Sequence, residues 1–396
     1  MLRLAFALFA VQAGFHGFTA SLPVALSRAG VSDPEIGLIV GVASLVQVPA
    51  AFVAGVVVDR VGGLRVLGLG GLAYLAGCAI LLLPGVEAGG PAGPFLVARF
   101  FQGVGVAGTL PAAMSLVPRL TTPDQRGISL AFIGSAHNLT LVAMPPLSLA
   151  ILSATSLKGV ALAMTVVVVA GLVVAFATPF RFRDPARHEV HLETSHEVAP
   201  RRFGLALRPS WIPLISMILL YIIHWGVVIA YLPQRAEAAG ADIGLFFVAD
   251  GVAVLGSRVP SGWLADRMRP LILILCGLAM SGVSVVLLTQ PLTTPLLVIA
   301  GLLGGVGGGL VMTPILVELS RRSADADRGS AFSLFSAALA MALVIGSIGA
   351  APVIATVGFP AALLAGLVGI GGAAIVAVAD RGLRAQPHRR VAVTAM

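Results

Sequence analysis

The sequence GVVVDR at residues 55–60 returns as GWLADR at residues 262–267, and this repeat decides the fold of the chain. In both copies a glycine, three further residues and an Asp-Arg pair close a long apolar run. Two more sequence pairs recur at shifts of about 202 to 208 residues: IGL at 36–38 with 243–245, and Arg-Gly at 126–127 with 328–329. Matches at nearly one shift, in corresponding places, indicate an internal duplication.

The composition of the 396-residue chain is that of a protein embedded in a membrane. Hydrophobic residues make up 58%, charged residues only 11%, and the mean hydropathy is +1.01, whereas a soluble protein is about a quarter charged. A membrane helix needs about 20 apolar residues, so twelve helices would use about 240 positions, close to the hydrophobic share. The stretches between apolar runs reach at most roughly 35 residues, too few to bury a core. We therefore exclude a water-soluble enzyme and an appended catalytic domain.

Twelve apolar runs, each about 20 to 25 residues long, are predicted to be transmembrane helices, numbered span 1 to span 12. In the first half they cover residues 4–27, 35–58, 64–84, 93–117, 126–151 and 157–179. In the second half they cover residues 211–233, 241–263, 270–290, 294–318, 328–350 and 359–379. The sequence thus predicts an all-α membrane protein with two pseudo-symmetric six-helix bundles. The predicted parts are a first bundle at 1–180, a cytoplasmic linker at 181–210, a second bundle at 211–380 and a basic cytoplasmic tail at 381–396.

The distribution of Lys and Arg predicts which side of the membrane each loop faces, because positively charged loops stay cytoplasmic. Twenty of the 25 basic residues lie on the side that holds both termini and the linker, and three, Arg28, Lys158 and Arg235, lie on the other. Both termini are therefore expected in the cytoplasm. Because 24 of the 25 are arginine, we expect a GC-rich bacterial source and the bacterial cytoplasmic (inner) membrane. The net charge of +8 is scattered between apolar runs, so nucleic-acid binding is not expected.

Enzyme, metal and cofactor sites have little support in the sequence. No Gly-x-Ser-x-Gly, HExxH or Walker Gly-Lys-Ser motif occurs, so no catalytic residues are assigned. Cys78 and Cys276 stand alone in apolar runs and cannot form a CxxC motif. The linker carries His188, His191 and His196, and whether these three bind a metal ion stays open.

Two motifs of the chain resemble those of the major facilitator superfamily. The first is a loop signature between spans 2 and 3, with a weaker copy between spans 8 and 9: Gly55, Asp59, Arg60, Gly62, Gly63 and Arg65, then Gly262, Asp266, Arg267 and Arg269. The second is ARFFQGVG at residues 98–105 in span 4, which is similar to the family's Arg-x-x-Gln-Gly signature. The resemblance covers essentially the full chain. It implies a monomeric secondary active transporter that moves a small-molecule solute across the lipid bilayer by alternating access, driven by an ion gradient and without a cofactor.

Within the superfamily, residues 98–127 are most similar to the drug and arabinose efflux type of proton antiporter. That subgroup carries a Gly-Pro signature in span 5, where this chain reads Ala143-Met144-Pro145-Pro146. The similarity implies proton-coupled efflux. Two alternatives stay open: proton-coupled or facilitated uptake of a small anionic or zwitterionic metabolite, and a transport-dead membrane sensor or scaffold.

The Asp-Arg motifs are interpreted as a cytoplasmic gate. Asp59 would lie at the C-terminal end of a helix, where the helix dipole disfavours an anion by a few tenths of a kcal/mol up to about 1, so it needs a partner elsewhere. The resemblance implies that Asp59 meets the start of span 11 and that Asp266 meets the start of span 5. The predicted gate residues are Asp59, Arg60, Arg65, Arg126, Asp266, Arg267 and Arg328. The alternative is that these charges only determine topology.

Polar and ionisable side chains at membrane depth are costly and are therefore functional candidates. With a rise of 1.5 Å per residue, His16, His137 and His224 fall near the midplane, where transporter substrates bind. The predicted solute and proton pathway comprises Gln12, His16, Arg99, Gln102, His137, Asn138, Tyr221, His224 and Asp250. The resemblance implies that spans 1, 4, 7 and 10 line the cavity, with His16 and His224 facing one another. We expect Asp250 or one of the histidines to carry the proton, the alternative being that each histidine only packs against a neighbouring helix.

Overall fold

The computed structural model describes residues 1–122, 125–177, 208–265, 267–323 and 328–384. Within these ranges twelve helical segments are long and apolar enough to cross a membrane. No strand occurs in the described ranges. The predicted all-α membrane fold with twelve spans is confirmed. The predicted linker at 181–210 lies mostly outside the described residues, so the division into two domains stays a prediction.

The six spans of the first half begin and end within three residues of the predicted bounds. Their helices are Leu2–His16 with Phe18–Arg28 in span 1, Asp33–Val61 in span 2, Gly63–Leu82 in span 3, Ala92–Ala107 with Thr109–Leu120 in span 4, Arg126–Ala154 in span 5 and Leu157–Phe176 in span 6. Spans 1 and 4 are each broken once, at Gly17 and Gly108. The break at Gly108 precedes Pro111, which lacks the backbone N–H that would bond to Ala107. At the break in span 1, Ser21 Oγ donates to the carbonyl oxygen of Gly17 over 2.7 Å.

The second half repeats this arrangement. Its helices are Ile212–Ala238 in span 7, Ile243–Ala265 in span 8, Pro270–Leu288 in span 9, Thr294–Arg321 in span 10, Arg328–Val344 with Ala351–Thr356 in span 11 and Phe359–Ala379 in span 12, followed by the short helix Arg381–Arg384. Span 11 contains a π-helical turn, Ile345–Gly349. Such turns are rare inside helices and are frequent at functional sites.

The duplication seen in the sequence is also visible in the packing. Span 4 approaches span 2 so closely that a Cβ atom on Gly103 would lie 2.5 Å from the carbonyl oxygen of Ala43. In the second half, span 10 approaches span 8 in the same way, and a Cβ atom on Gly305 would overlap the carbonyl oxygen of Asp250. These contacts are related by the same shifts as the sequence repeats. The pseudo-symmetry therefore extends from the sequence to backbone contacts that only glycine allows.

The described parts of the two halves meet along four pairs of spans: 1 with 7, 2 with 7, 2 with 11, and 5 with 8. The contact between spans 5 and 8 is close, since a Cβ atom on Gly251 would lie 2.9 Å from Cα of Val142. Any site that serves both halves must lie along this boundary.

Candidate solute and gating sites

Because the spans alternate in direction, the helix ends fall on two faces of the molecule. We call the face with Leu2, Ala177 and Arg384 the terminal face. The turns at 29–32 and 239–242 lie on the other side, which we call the opposite face. The two faces are the possible entrances to the boundary between the halves.

Two ion pairs join the halves at the opposite face. Nε of Arg28, at the end of span 1, donates to Oε1 of Glu237, at the end of span 7, over 2.7 Å. Arg235 of span 7 pairs in turn with Asp33 at the start of span 2. We call these two pairs the opposite-face lock. Arg28 and Arg235 are 207 residues apart, the shift of the sequence repeat, so the lock uses equivalent arginines of the two halves.

Sequence reasoning missed this lock. It treated Arg28 and Arg235 only as loop charges that define topology. Their separation by the repeat shift was the available signal, but their partners are not related by that shift: Asp33 follows Arg28 by five residues, and Glu237 follows Arg235 by two. Only the packing of span 1 and span 2 against span 7 identifies which acid each arginine binds.

Below the lock, span 2 packs directly against spans 7 and 11. Tyr231 Oη donates to the carbonyl oxygen of Ser347, over 2.5 Å. A Cβ atom on Gly37 would overlap Tyr231 Oη, and one on Gly41 would lie 2.5 Å from Ser347 Oγ. Ser347 belongs to the π-helical turn, so the irregular part of span 11 forms this contact. The opposite face is therefore closed by backbone packing as well as by the ion pairs.

The predicted gate at the terminal face is only partly described. Arg60, Arg65 and Arg267 are exposed, and Arg267 donates to the carbonyl oxygen of Trp263 over 3.1 Å while its guanidinium lies over the Trp263 ring. The predicted gate residues outside the described side chains are Asp59, Arg126, Asp266 and Arg328, and the linker histidines His188, His191 and His196 also lie outside the described residues. The gate thus stays a prediction.

His16 and His137 come together in the first half. His16 Nδ1 lies 2.8 Å from Thr140 Oγ1, whose own hydrogen is donated to the carbonyl oxygen of His137 over 2.6 Å. With the Thr140 hydrogen on this carbonyl oxygen, the bond runs from His16 Nδ1 to Thr140, the direction that belongs to the His16 tautomer with the proton on Nδ1. The two histidine rings are 5.6 Å apart, and the buried Nδ1 of His137 has no hydrogen-bond partner among the described residues. Asn138, beside His137, is buried.

Arg99 lies beside this histidine cluster with only 6% of its surface exposed. Its Nη1 donates to Gln102 over 2.8 Å, its Nη2 lies 3.5 Å from the carbonyl oxygen of Val40, and its guanidinium is 5.0 Å from the centre of the Phe15 ring. The buried Nε has no partner. In the described part of the chain no carboxylate bonds to Arg99, so its charge is balanced only by dipoles and a ring face.

The two glutamines of the predicted pathway support the first half internally. Gln12 Nε2 donates to Thr109 Oγ1 of span 4 over 3.0 Å, and its buried Oε1 has no partner in the described structure. Gln102 is fully buried and its Nε2 lies 3.9 Å from the sulfur of Cys78 in span 3. Gln12 thus links spans 1 and 4, whereas Gln102 orients Arg99 from within the bundle.

In the second half, Tyr221 and His224 lie side by side. His224 Nδ1 must donate to the Tyr221 carbonyl oxygen, 2.5 Å away, and Tyr221 Oη lies 3.0 Å from Ser281 Oγ of span 9. The backbone of His224 packs against Gly366 of span 12. The structure therefore pairs His16 with His137 rather than with His224, because His224 belongs to the contact between spans 7 and 12.

Asp250 of span 8 lies beside a glycine-rich part of span 10. A Cβ atom on Gly304 would lie 3.6 Å from its Oδ1 and 3.1 Å from Oγ of Ser284. Asp250 interacts electrostatically with Tyr221, but it forms no ion pair with any described residue. Among the described residues no cluster of His, Cys, Asp and Glu could hold a metal ion. The site therefore contains one carboxylate and two guanidinium groups, because Arg258, eight residues after Asp250 on span 8, interacts electrostatically with His137. Neither Arg99 nor Asp250 has a counter-ion in the described structure.

Comparisons with known proteins agree with this architecture. A family model described as Major Facilitator Superfamily matches residues 4–249 and 214–393. No curated protein sequence matches the chain. Similar solved structures include two of a POT family transporter, one in complex with a thioalcohol conjugated peptide and one with 5-aminolevulinic acid. Each has a TM-score of 0.72 and 13% sequence identity, and the alignment covers 95% of this chain and 94% of that chain.

Proposed function

Because the chain belongs to the major facilitator superfamily, and is thus a multi-pass membrane transporter rather than an enzyme, we propose that it exports a small organic solute in exchange for protons. The observation that carries this proposal is the pairing of a closed opposite face with unpartnered polar groups inside. The lock and the packing of Gly37 close one entrance. Arg99 and Asp250 lack counter-ions in the described part of the interior. A solute or a proton is the missing partner.

The lock is suited to a reversible closure. Its side chains are 27% to 49% exposed, and exposed ion pairs contribute only about 0.2 to 1 kcal/mol each. Pairs of this strength can break and reform during each transport cycle. Rocking of the two halves would then open the opposite face and close the terminal face through the Asp59 and Asp266 motifs.

The proposed direction rests on the charge distribution and on span 4. The terminal face carries most of the arginines, so it is proposed to face the cytoplasm of a bacterium, with the opposite face outside. The similarity of residues 98–127 to drug and arabinose efflux antiporters supports export. Each half contributes part of the site, so one chain is proposed to suffice and to act as a monomer.

Proton coupling has two kinds of candidate carrier. His16 and His224 each use Nδ1 as a donor, so Nε2 could take up a proton without breaking the existing hydrogen bond. Asp250 could take up a proton because it holds no ion pair with a described residue. We propose that Asp250 or one of these histidines carries the proton.

The test uses everted membrane vesicles that contain the full chain and are energised to a proton gradient read by a pH-sensitive dye. A chemically diverse solute panel is added, and an exported solute is expected to dissipate the gradient as it exchanges for protons. Vesicles without the chain serve as the control. If no solute dissipates the gradient, and solute movement persists unchanged after a protonophore is added, the proton-coupled export proposal is wrong.

Uptake of a small anionic or zwitterionic metabolite is the second candidate. The buried positive charge of Arg99 favours it, as does the fold shared with a POT family transporter that was crystallised with 5-aminolevulinic acid. The same vesicles distinguish the two directions. Under uptake coupled to protons, solute loaded into the everted vesicles would leave together with protons as the imposed gradient runs down, and that gradient would not drive solute accumulation.

A further inference from the structure

The interiors of the two halves carry opposite charges at pseudo-equivalent places. The contact between Gly103 and Ala43 in the first half corresponds to that between Gly305 and Asp250 in the second. By the same alignment Arg99 corresponds to Gly301. Each half therefore places a charge where the other half has a small residue: the first on span 4, the second on span 8.

The aromatic rings near these charges also differ between the halves: each half has a tyrosine where the other half has a small residue. In the first half Tyr74 of span 3 packs against Gly14 of span 1, where a Cβ atom would lie 2.8 Å from the ring. In the second half Tyr221 of span 7 bonds to Ser281 of span 9. Gly14 and Tyr221 are 207 residues apart, as are Tyr74 and Ser281. The two places are thus versions of one packing arrangement, and Arg99 and Asp250 give them charges of opposite sign.

The two charges lie at similar depth on either side of the boundary between the halves. Gly251, which follows Asp250, packs against Val142 of span 5. Thr140, two residues before Val142, bonds to His16. Phe15, the residue before His16, lies against the guanidinium of Arg99. At 1.5 Å per residue, Asp250 and Thr140 differ by only about 5 Å along the helix axes.

We propose that the transported solute is bipolar: its anionic group binds Arg99 in the first half, and its cationic group binds Asp250 in the second. This proposal rests on the proposed function and specifies its substrate class. A charge at membrane depth without a counter-ion is costly, and a bipolar solute supplies counter-ions to the buried Arg99 and the half-buried Asp250 at once. The unpartnered nitrogens of Arg99 and His137 would bind the anionic end. Because one solute would contact both halves, its binding would also link their movement.

The probes are unbranched ω-amino acids with two to eight carbons between the amine and the carboxylate. The matched monopolar probes are the carboxylic acid and the amine of the same chain length. Their binding to the purified full chain is measured as thermal stabilisation, because a ligand that binds the folded state raises its melting temperature. We expect one range of chain lengths to bind at least tenfold more tightly than either monopolar probe.

Substitutions assign each end of the probe. Arg99→Gln should remove the preference for the amino acid over the amine alone, and Asp250→Asn should remove its preference over the carboxylic acid alone. Arg99→Lys and Asp250→Glu retain the charges and should retain part of each preference, which separates lost recognition from misfolding. Arg381→Gln, at an exposed arginine outside the predicted pathway and gate, is the control and should change neither preference.

Three results would overturn the bipolar proposal: equal binding of bipolar and monopolar probes, no stabilisation by any bipolar probe, or an equal loss of both preferences in either variant. These failures differ from failure of the transport proposal. A solute that dissipates the proton gradient in vesicles while lacking one of the two charges overturns the bipolar substrate and leaves transport intact.

Discussion

Removing the opposite-face lock should shift the protein toward the state that is open on that face. The double variant Arg28→Gln, Arg235→Gln breaks both ion pairs while keeping side chains of similar length. Each pair has partly exposed side chains, so each contributes about 0.2 to 1 kcal/mol and both together about 0.4 to 2 kcal/mol. Since 1.4 kcal/mol corresponds to a tenfold change, the open-to-closed ratio should rise about 2- to 30-fold.

The assay measures labelling of a single cysteine at Ser347 by a membrane-impermeant maleimide. Ser347 has 1% of its surface exposed and is buried by the contact between spans 2 and 11, so Ser347→Cys becomes accessible only when these spans separate. The exposed Cys276 is first replaced by Ser, whereas the buried Cys78 is retained. The labelling rate of the double variant should exceed that of the parent by the same 2- to 30-fold factor.

Two controls make the result specific to the lock. Lys158 and Glu87 form an ion pair on the same face but within the first half, so Lys158→Gln should leave the labelling rate unchanged. The exchange Arg28→Glu with Glu237→Arg rebuilds this ion pair with its charges reversed, so it should restore the slow labelling of the parent. In 1 M salt, where the Debye length is about 3 Å, the difference between parent and double variant should shrink. An unchanged labelling rate in the double variant would refute the role of the ion pairs in closure.

Three further predictions concern the packing, the gate and the coupling. Gly37→Ala places a methyl group against Tyr231 Oη, and overpacking of this kind costs about 1 to 3 kcal/mol. Because the clash lies between the halves, it should speed labelling of Ser347→Cys. An unaltered labelling rate would contradict the close packing of span 2. Asp59→Asn should favour the state that is open at the terminal face and abolish transport, while expression stays normal. Labelling of single cysteines on that face measures the change of state. Unchanged labelling and transport would leave Asp59 as a topology signal. A protonophore should abolish solute accumulation. If Asp250 carries the proton, the transport that remains in Asp250→Asn should no longer depend on pH. A pH dependence like that of the parent would assign the proton to a histidine.

Much of the fold was predictable because the signals that create a membrane span are local. The length and hydropathy of each run placed the twelve helices, since every backbone polar group in a lipid environment must bond within its own helix. The prediction did not include the π-helical turn Ile345–Gly349, which brings span 11 against spans 2 and 7. No local pattern marks it, because it accommodates close contacts such as that of Gly346 with Gly226, whose Cα lies 2.7 Å from a Cβ atom at Gly346.

The candidate site was predictable as a set of residues but not as a set of contacts. Sequence alone determined the span count, the duplication and the list of polar groups at membrane depth, because these depend on composition and on position along one helix. Tertiary structure decided that His16 meets His137 through Thr140 and that Arg28 and Arg235 bind acids of the other half. It also decided that spans 4 and 10 approach spans 2 and 8 at equivalent places, beside Arg99 and Asp250. The reason is physical: a helix forms from neighbours in sequence, whereas the rotation and approach of two helices are set by side chains that are far apart in the chain.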